Sequence, residues 1–194
     1  MFRTRFKRDI VTEFLPPARS GALQRAIILC DGMPSIPRKQ PLAGFLSNHG
    51  FWVFIPATVG LGRVAGSFWR SPHLDILDVV GRLAADFRGL AFGRRFRLAA
   101  YAVFVIGGSF GGAAALLASL DPRVKKVIAN CAVVDRAILP REEKKETSNA
   151  DYAAHIRAAF GNGYRLSGRN WKKLQGGSFT TLPTTRRKLL LRRS

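Results

Sequence analysis

Apolar residues in this chain come in short bursts, separated by polar, glycine-rich and proline-rich stretches. Residues 25–30 (RAIILC), 51–55 (FWVFI) and 101–106 (YAVFVI) are brief runs rich in β-branched and aromatic side chains. That is the texture of strands buried on both faces. Residues 124–134 (VKKVIANCAVV) supply a further strand that closes at Asp135, and residues 6–15 (FKRDIVTEFL) read as one edge strand. Helical signals fall between these runs. Leu42 to Asn48 reads as a short helix ending near Gly50. Over residues 71–87, Leu74, Ile76, Leu77, Val80, Leu83 and Ala84 recur at helical spacing. Ser71 as N-cap, Pro72 at the first position and Asp75 in the first turn mark the start of that helix. Residues 113–120 have strong helix propensity. A basic stretch, residues 88–97, reads as a loop. Strand and helix alternate, which predicts parallel strands joined by right-handed crossovers: an α/β protein with a mostly parallel sheet and helices on both faces. In such sheets active residues lie at the C-terminal ends of the strands. Asp31-Gly32, the loop after Pro56, Ser109 and Asp135 all fall at that edge.

One stretch organises the rest. The apolar run ending at Ile106 breaks at Gly107, Gly108, Gly111 and Gly112, which surround a single serine, Ser109. An alanine-rich helix follows at once. Residues 107–111 spell G-G-S-F-G, a match to G-x-S-x-G, the strand–turn–helix pattern that lifts a nucleophilic hydroxyl above a sheet edge. Glycines two before and two after the serine let the helix pass close to the strand. The helix N-terminus then aims N–H groups and its positive dipole end at the place where an oxyanion would form. Two other readings stand beside this one. Ser109 can be a simple helix cap in an ordinary βα unit. Residues 98–120 also carry no charge and are long enough to span a bilayer, although the glycines and Ser109 interrupt the run in its middle.

Composition changes the picture in three places. The chain has 194 residues, enough for one domain with a sizeable core, and its apolar fraction of 47% speaks against wholesale disorder. The net charge of +20 suggests affinity for polyanions or acidic membrane surfaces. Yet the basic residues are spread along the whole chain. Neither zinc-ligand spacing nor an aromatic-glycine RNA-binding signature accompanies them, so no specific nucleic-acid partner is expected. The two cysteines, Cys30 and Cys131, lie at or within apolar runs and read as buried free thiols, which fits a cytoplasmic protein. No metal-ligand cluster or dinucleotide fingerprint is present, so neither a metal nor a cofactor is implied. The basic N-terminus lacks the apolar segment of a signal peptide.

Three segments carry a family resemblance: CDGMPSIPRKQPLAGFLSNHGFWVFIP, then SFWRSPHLDILDVV, then VFVIGGSFGGAAALLASLDPRVKKVIANCAVVD. Together they resemble the α/β-hydrolase superfamily, and within it the prolyl-oligopeptidase-like serine hydrolases of the acylaminoacyl-peptidase type. The resemblance covers roughly residues 25–135. It implies that Ser109 is the nucleophile and that the Phe110 backbone N–H is one oxyanion donor. Asp31-Gly32-Met33 stands where the family has its His-Gly oxyanion loop, so the Met33 or Gly32 N–H would be the second. Gly107 and Gly111 match the glycines of the serine turn. The implied reaction is hydrolysis of small peptide or ester substrates through an acyl-enzyme.

The departure comes after residue 135, where the family places its acid and its histidine. Residues 136–182 read as a helical cap-like segment, or equally as a surface helical pair, and residues 183–194 as a basic tail. The histidines are His49 and His73, which precede Ser109, and His155, which lies in the cap-like segment. Asp135 stands at a strand end, where it serves as an acid or caps a turn. Residues 1–135 thus read as the N-terminal part of a hydrolase core, incomplete at its C-terminal end. Catalytic competence, a non-catalytic remnant and a polyanion- or membrane-associating protein all follow from different features of the same chain. An incomplete sheet would leave an open edge, which predicts self-association.

Overall fold

The computed structural model describes residues 1–7, 10–19, 24–30, 32, 41–57, 71–98, 102–134 and 169–170. Its elements run β1 (Phe2–Phe6), β2 (Ile10–Leu15), β3 (Arg25–Cys30), α1 (Pro41–Asn48), β4 (Phe51–Pro56) and α2 (Pro72–Arg82). Then come β5 (Phe87–Arg88), β6 (Arg95–Phe96), β7 (Ala102–Gly108), α3 (Ser109–Ala118) and β8 (Val124–Asn130). Six strands form one sheet in the order β1-β2-β4-β3-β7-β8. The strands β4, β3, β7 and β8 are parallel, as the alternation predicts, while β1 and β2 join antiparallel at one end. The helical cap-like segment and basic tail expected over 136–194 lie outside the described residues, apart from residues 169–170.

Both faces of the central strands are covered, which explains their unbroken apolar texture. In β3, Ala26 and Ile28 face one side, and Ile27 and Leu29 the other. The second side packs Ala43 and Leu46 of α1 with Val53 and Ile55 of β4. The first side holds α2, through Ile76, Val79 and Val80, and the alanines of α3, Ala114, Ala115 and Ala118. It continues into an aromatic cluster built from Phe6, Phe14, Trp52, Phe54, Phe87 and Phe96. Phe14 meets Phe96 edge-on at 4.9 Å and Phe87 at 5.2 Å between ring centres. Burying each such ring contributes about 1.5–3 kcal/mol.

Several expected elements differ. The single edge strand of residues 6–15 is an antiparallel pair, with Phe2 opposite Phe14 and Phe6 opposite Ile10. Phe2, Thr4 and Phe6 alternate with Arg3 and Arg5, so a real strand hides in a segment that reads as merely basic. In place of the basic loop 88–97, a small antiparallel pairing joins Phe87 with Phe96 and Arg88 with Arg95. The arginines obscure two phenylalanines that the core needs. The helix over 71–87 stops at Arg82, with Leu83 as its C-cap; Leu83 and Phe87 are both buried. Ser71 occupies the N-cap position without a capping hydrogen bond; its Oγ lies 2.6 Å from His73 Nδ1 instead. The last strand ends at Asn130 rather than running to Val134, since Cys131 turns the chain with φ of +48°. Cys131 is exposed and Cys30 half-buried, and neither is in a disulfide, so the expectation of two buried thiols fails at Cys131. Residues 102–108 are a strand and 109–118 a helix, which removes the membrane-span reading of 98–120. No helix among the described residues is long and apolar enough to cross a membrane.

Candidate active site

The parallel register gathers three strand ends. Cys30 pairs with Gly107, and Gly108 with Asn130, so the chain leaving β3 and the chain leaving β8 flank the turn that leaves β7. That turn is very tight. A Cβ placed on Gly107 would lie 2.3 Å from the Gly111 carbonyl oxygen and 2.9 Å from Gly112 Cα. No side chain fits there, so glycine at this position follows from the close passage of α3 over the end of β7. Ser109, the first residue of α3, has φ of +51°. A non-glycine residue in the left-handed region costs about 1–3 kcal/mol and persists only where its surroundings enforce it. Strand, strained serine and helix are therefore all present as the G-x-S-x-G reading requires.

Ser109 is exposed at this edge, and its hydroxyl makes no hydrogen bond to a described residue. Gly32 lies directly against it: a Cβ on Gly32 would sit 3.1 Å from Ser109 Cβ and 3.7 Å from Oγ. A side chain at position 32 would crowd the serine. On the other side the chain after β8 folds back over the first turn of α3. The Val133 N–H donates to the Ser109 carbonyl at 3.4 Å. Ala132 presses on Gly112, where an added Cβ would come within 2.9 Å of Ala132 Cβ. Gly32 thus lies against Ser109, and Ala132 and Val133 against the first turn of α3. The N-terminus of α3 carries no side-chain cap and no acidic residue in its first turn, so the positive end of its dipole is not neutralised from within the helix. Phe110, next in the chain, is buried.

Of the residues singled out from sequence, Ser109, Phe110, Gly107, Gly111 and Gly32 come together at this edge. Met33, Asp31, Asp135 and His155 lie outside the described residues. His49 is elsewhere. It follows α1 just before β4 starts, with Nδ1 2.8 Å from the Phe45 carbonyl oxygen and its ring centre 4.1 Å from that of Phe45, tilted by 33°. A parallel strand starts at the opposite edge from Ser109, roughly 20 Å away at the ordinary strand rise. His73, in the first turn of α2, lies beside Ser71 and makes no hydrogen bond to Ser109. Ala132 and Val133 were not foreseen as parts of the site. No local pattern marks them, because their role depends on where β8 ends. Among the described residues no group of three or more His, Cys, Asp or Glu side chains is placed to hold a metal ion.

Neither a protein-family profile nor a curated protein sequence matches this chain. Its shape does match solved structures. The α/β-hydrolase GrgF from a Penicillium species superposes with a TM-score of 0.55 at 19% identity, over 80% of this chain and 52% of that one. The bottromycin epimerase BotH gives 0.57 at 19% identity, over 93% and 74%. Mouse α/β-hydrolase domain-containing protein 10 gives 0.57 at 16% identity, over 94% and 70%. The chain spans about half the length of GrgF. At these identities the likeness concerns the fold, and that fold is the mostly parallel α/β sheet of the α/β-hydrolases.

Proposed function

We propose that Ser109 is the nucleophile of a serine hydrolase that cleaves small ester or peptide substrates through an acyl-enzyme, in the manner of the prolyl-oligopeptidase-like enzymes the sequence resembles. The observation that carries this reading is the backbone at Ser109. A serine with φ of +51° stands between a strand and a helix, and Gly107 has no room for a side chain. Strain of this kind is costly, and a helix cap does not require it. It serves to raise a hydroxyl above the sheet edge. The reaction would run as acyl transfer. Oγ bonds to the substrate carbonyl carbon, the carbonyl electron pair moves onto its oxygen, and the hydroxyl proton passes to a base. Collapse of the tetrahedral species expels the leaving group with that proton. The Phe110 N–H, in the first turn of α3, and the Gly32 or Met33 N–H would hold the oxyanion. The dipole of α3 adds to them.

The test is labelling with a fluorophosphonate. Modification of the full chain at Ser109, abolished in Ser109→Ala, is the expected result. Folded protein that takes up no label would overturn the proposal.

One observation favours a second reading, a hydrolase fold without hydrolysis: neither described imidazole reaches Ser109, and without a base its hydroxyl stays protonated and weakly nucleophilic. A fold does not dictate chemistry, and BotH, which shares this shape, is an epimerase. Turnover of an activated ester that disappears in Ser109→Ala would exclude the second reading.

A further inference from the structure

Far from Ser109, three elements bring positive charge to one hollow. Arg5 and Lys7 stand at the end of β1, Arg82 in the last turn of α2, and Arg88 in β5; with Asp86 and Phe87 they line a cavity of about 290 Å³. Sequence pattern and packing place them there. In β1 the arginines alternate with the buried Thr4 and Phe6, so Arg5 faces outward. The segment after α2 is tied alongside: Thr4 Oγ1 donates to the Arg88 carbonyl at 2.8 Å, and the Leu90 N–H donates to the Arg3 carbonyl at 2.7 Å. Lys7 pairs with Asp78 of α2 and closes the third side.

The charges do not balance. Asp78 answers Lys7, and Asp86 faces Arg97 at 3.9 Å. The guanidinium groups of Arg5, Arg82 and Arg88 have no carboxylate partner among the described residues. Arg82 favours the negative end of the α2 dipole, but this accounts for one of the three. Like charges held around a concave surface repel unless an anion joins them. Arginine's planar fork suits the paired oxygens of a phosphate. In the sheet order, β1 and β7 are four strand steps apart, about 19 Å at the usual spacing. The hollow is therefore separate from the candidate active site and does not depend on its chemistry.

We infer that this hollow is a binding site for a compact soluble phosphate-type anion carrying two or more negative charges, of which pyrophosphate is the simplest. A diffuse surface charge would be spread over the molecule. Here the cations come from β1, α2 and β5 and line one hollow together.

Calorimetric titration of the full chain with pyrophosphate at about 0.15 M NaCl tests this, since exposed charges more than about 8 Å apart are screened there. Saturable binding with one site per chain is expected. Arg5→Gln, Arg82→Gln and Arg88→Gln should each weaken it about tenfold or more, the effect of one charge-assisted hydrogen bond. The double variant Lys125→Gln/Lys126→Gln, which removes two exposed charges from β8, should bind as the parent does. Pyrophosphate should also raise the melting temperature of the parent and not that of Arg82→Gln. Absence of saturable binding, or an equal loss in the lysine variant, would refute the site and leave only general attraction to anions.

Discussion

The strain at Ser109 can be measured by comparing two replacements that both delete its hydroxyl. At an ordinary position near a helix start, Ala is more favourable than Gly by up to about 1 kcal/mol. Position 109 is not ordinary, because φ is +51°. There any Cβ meets the following carbonyl oxygen, at a cost of about 1–2 kcal/mol that glycine escapes. Glycine gives back about 0.4–1 kcal/mol through the greater freedom of its unfolded chain. The balance favours Ser109→Gly over Ser109→Ala by roughly 0.5–1 kcal/mol. Position 109 is solvent-exposed, so neither change opens a cavity in the core. With a urea slope of about 1–3 kcal/mol per molar, the Gly variant should unfold at a midpoint higher by a few tenths molar. Equilibrium urea unfolding of both proteins, followed by tryptophan fluorescence, reads this directly. The sign decides the matter. An Ala variant equal to or more stable than the Gly variant means that residue 109 lies in a relaxed helical turn, and the strained-nucleophile reading falls with it.

Two further outcomes follow from the same geometry and its surroundings. Gly107→Ala should cost several kcal/mol and abolish any labelling of Ser109, because the new methyl would meet the Gly111 carbonyl at 2.3 Å and α3 would have to move; a variant with parental stability and labelling would contradict the close passage. In the turn between α3 and β8, the Asp121 carboxylate accepts three hydrogen bonds from Arg123 at 2.7–2.9 Å. These bonds, the side-chain bond first, hold its carboxyl down at about 2. A carboxylate depressed in the folded state adds stability above its unfolded value of about 3.9, and that contribution fades as pH falls toward the folded value. Asp121→Asn should therefore be less stable than the parent at pH 6, by no more than about 1 kcal/mol since Arg123 is half exposed. The gap should close between pH 4 and pH 2, and a gap unchanged across that range in thermal melts would refute the pairing.

The central strands were readable from the chain because each is buried on both faces and so contains almost nothing polar. RAIILC, FWVFI and VFVI stand out against any background. The outer elements were harder. In β1 every second residue faces solvent and is arginine, so the buried Thr4 and Phe6 do not form a run. The pairing of Phe87 with Phe96 joins two-residue strands, too short for a period to show. At the candidate site, Ser109 and Gly107 stand out in the sequence through the local G-x-S-x-G pattern, while Gly32 is pointed to only by the family resemblance. Ala132 and Val133 were not, because alanine and valine carry no chemistry and their contact with α3 arises only when β8 lies beside β7.

By itself, the order of residues determined the alternation of strands and helices, the glycine-flanked serine between β7 and α3, and the strong positive charge. These are properties of neighbours along the chain: apolar runs, absent Cβ atoms and side-chain charges. Tertiary structure decided the strand order β1-β2-β4-β3-β7-β8, which sets Gly32 against Ser109, brings Ala132 onto Gly112 and leaves His49 at the far edge. It also decided that Arg5, Arg82 and Arg88 share one hollow. Distance in space between residues remote in sequence depends on which faces bury against each other, and that is settled only when the whole core packs.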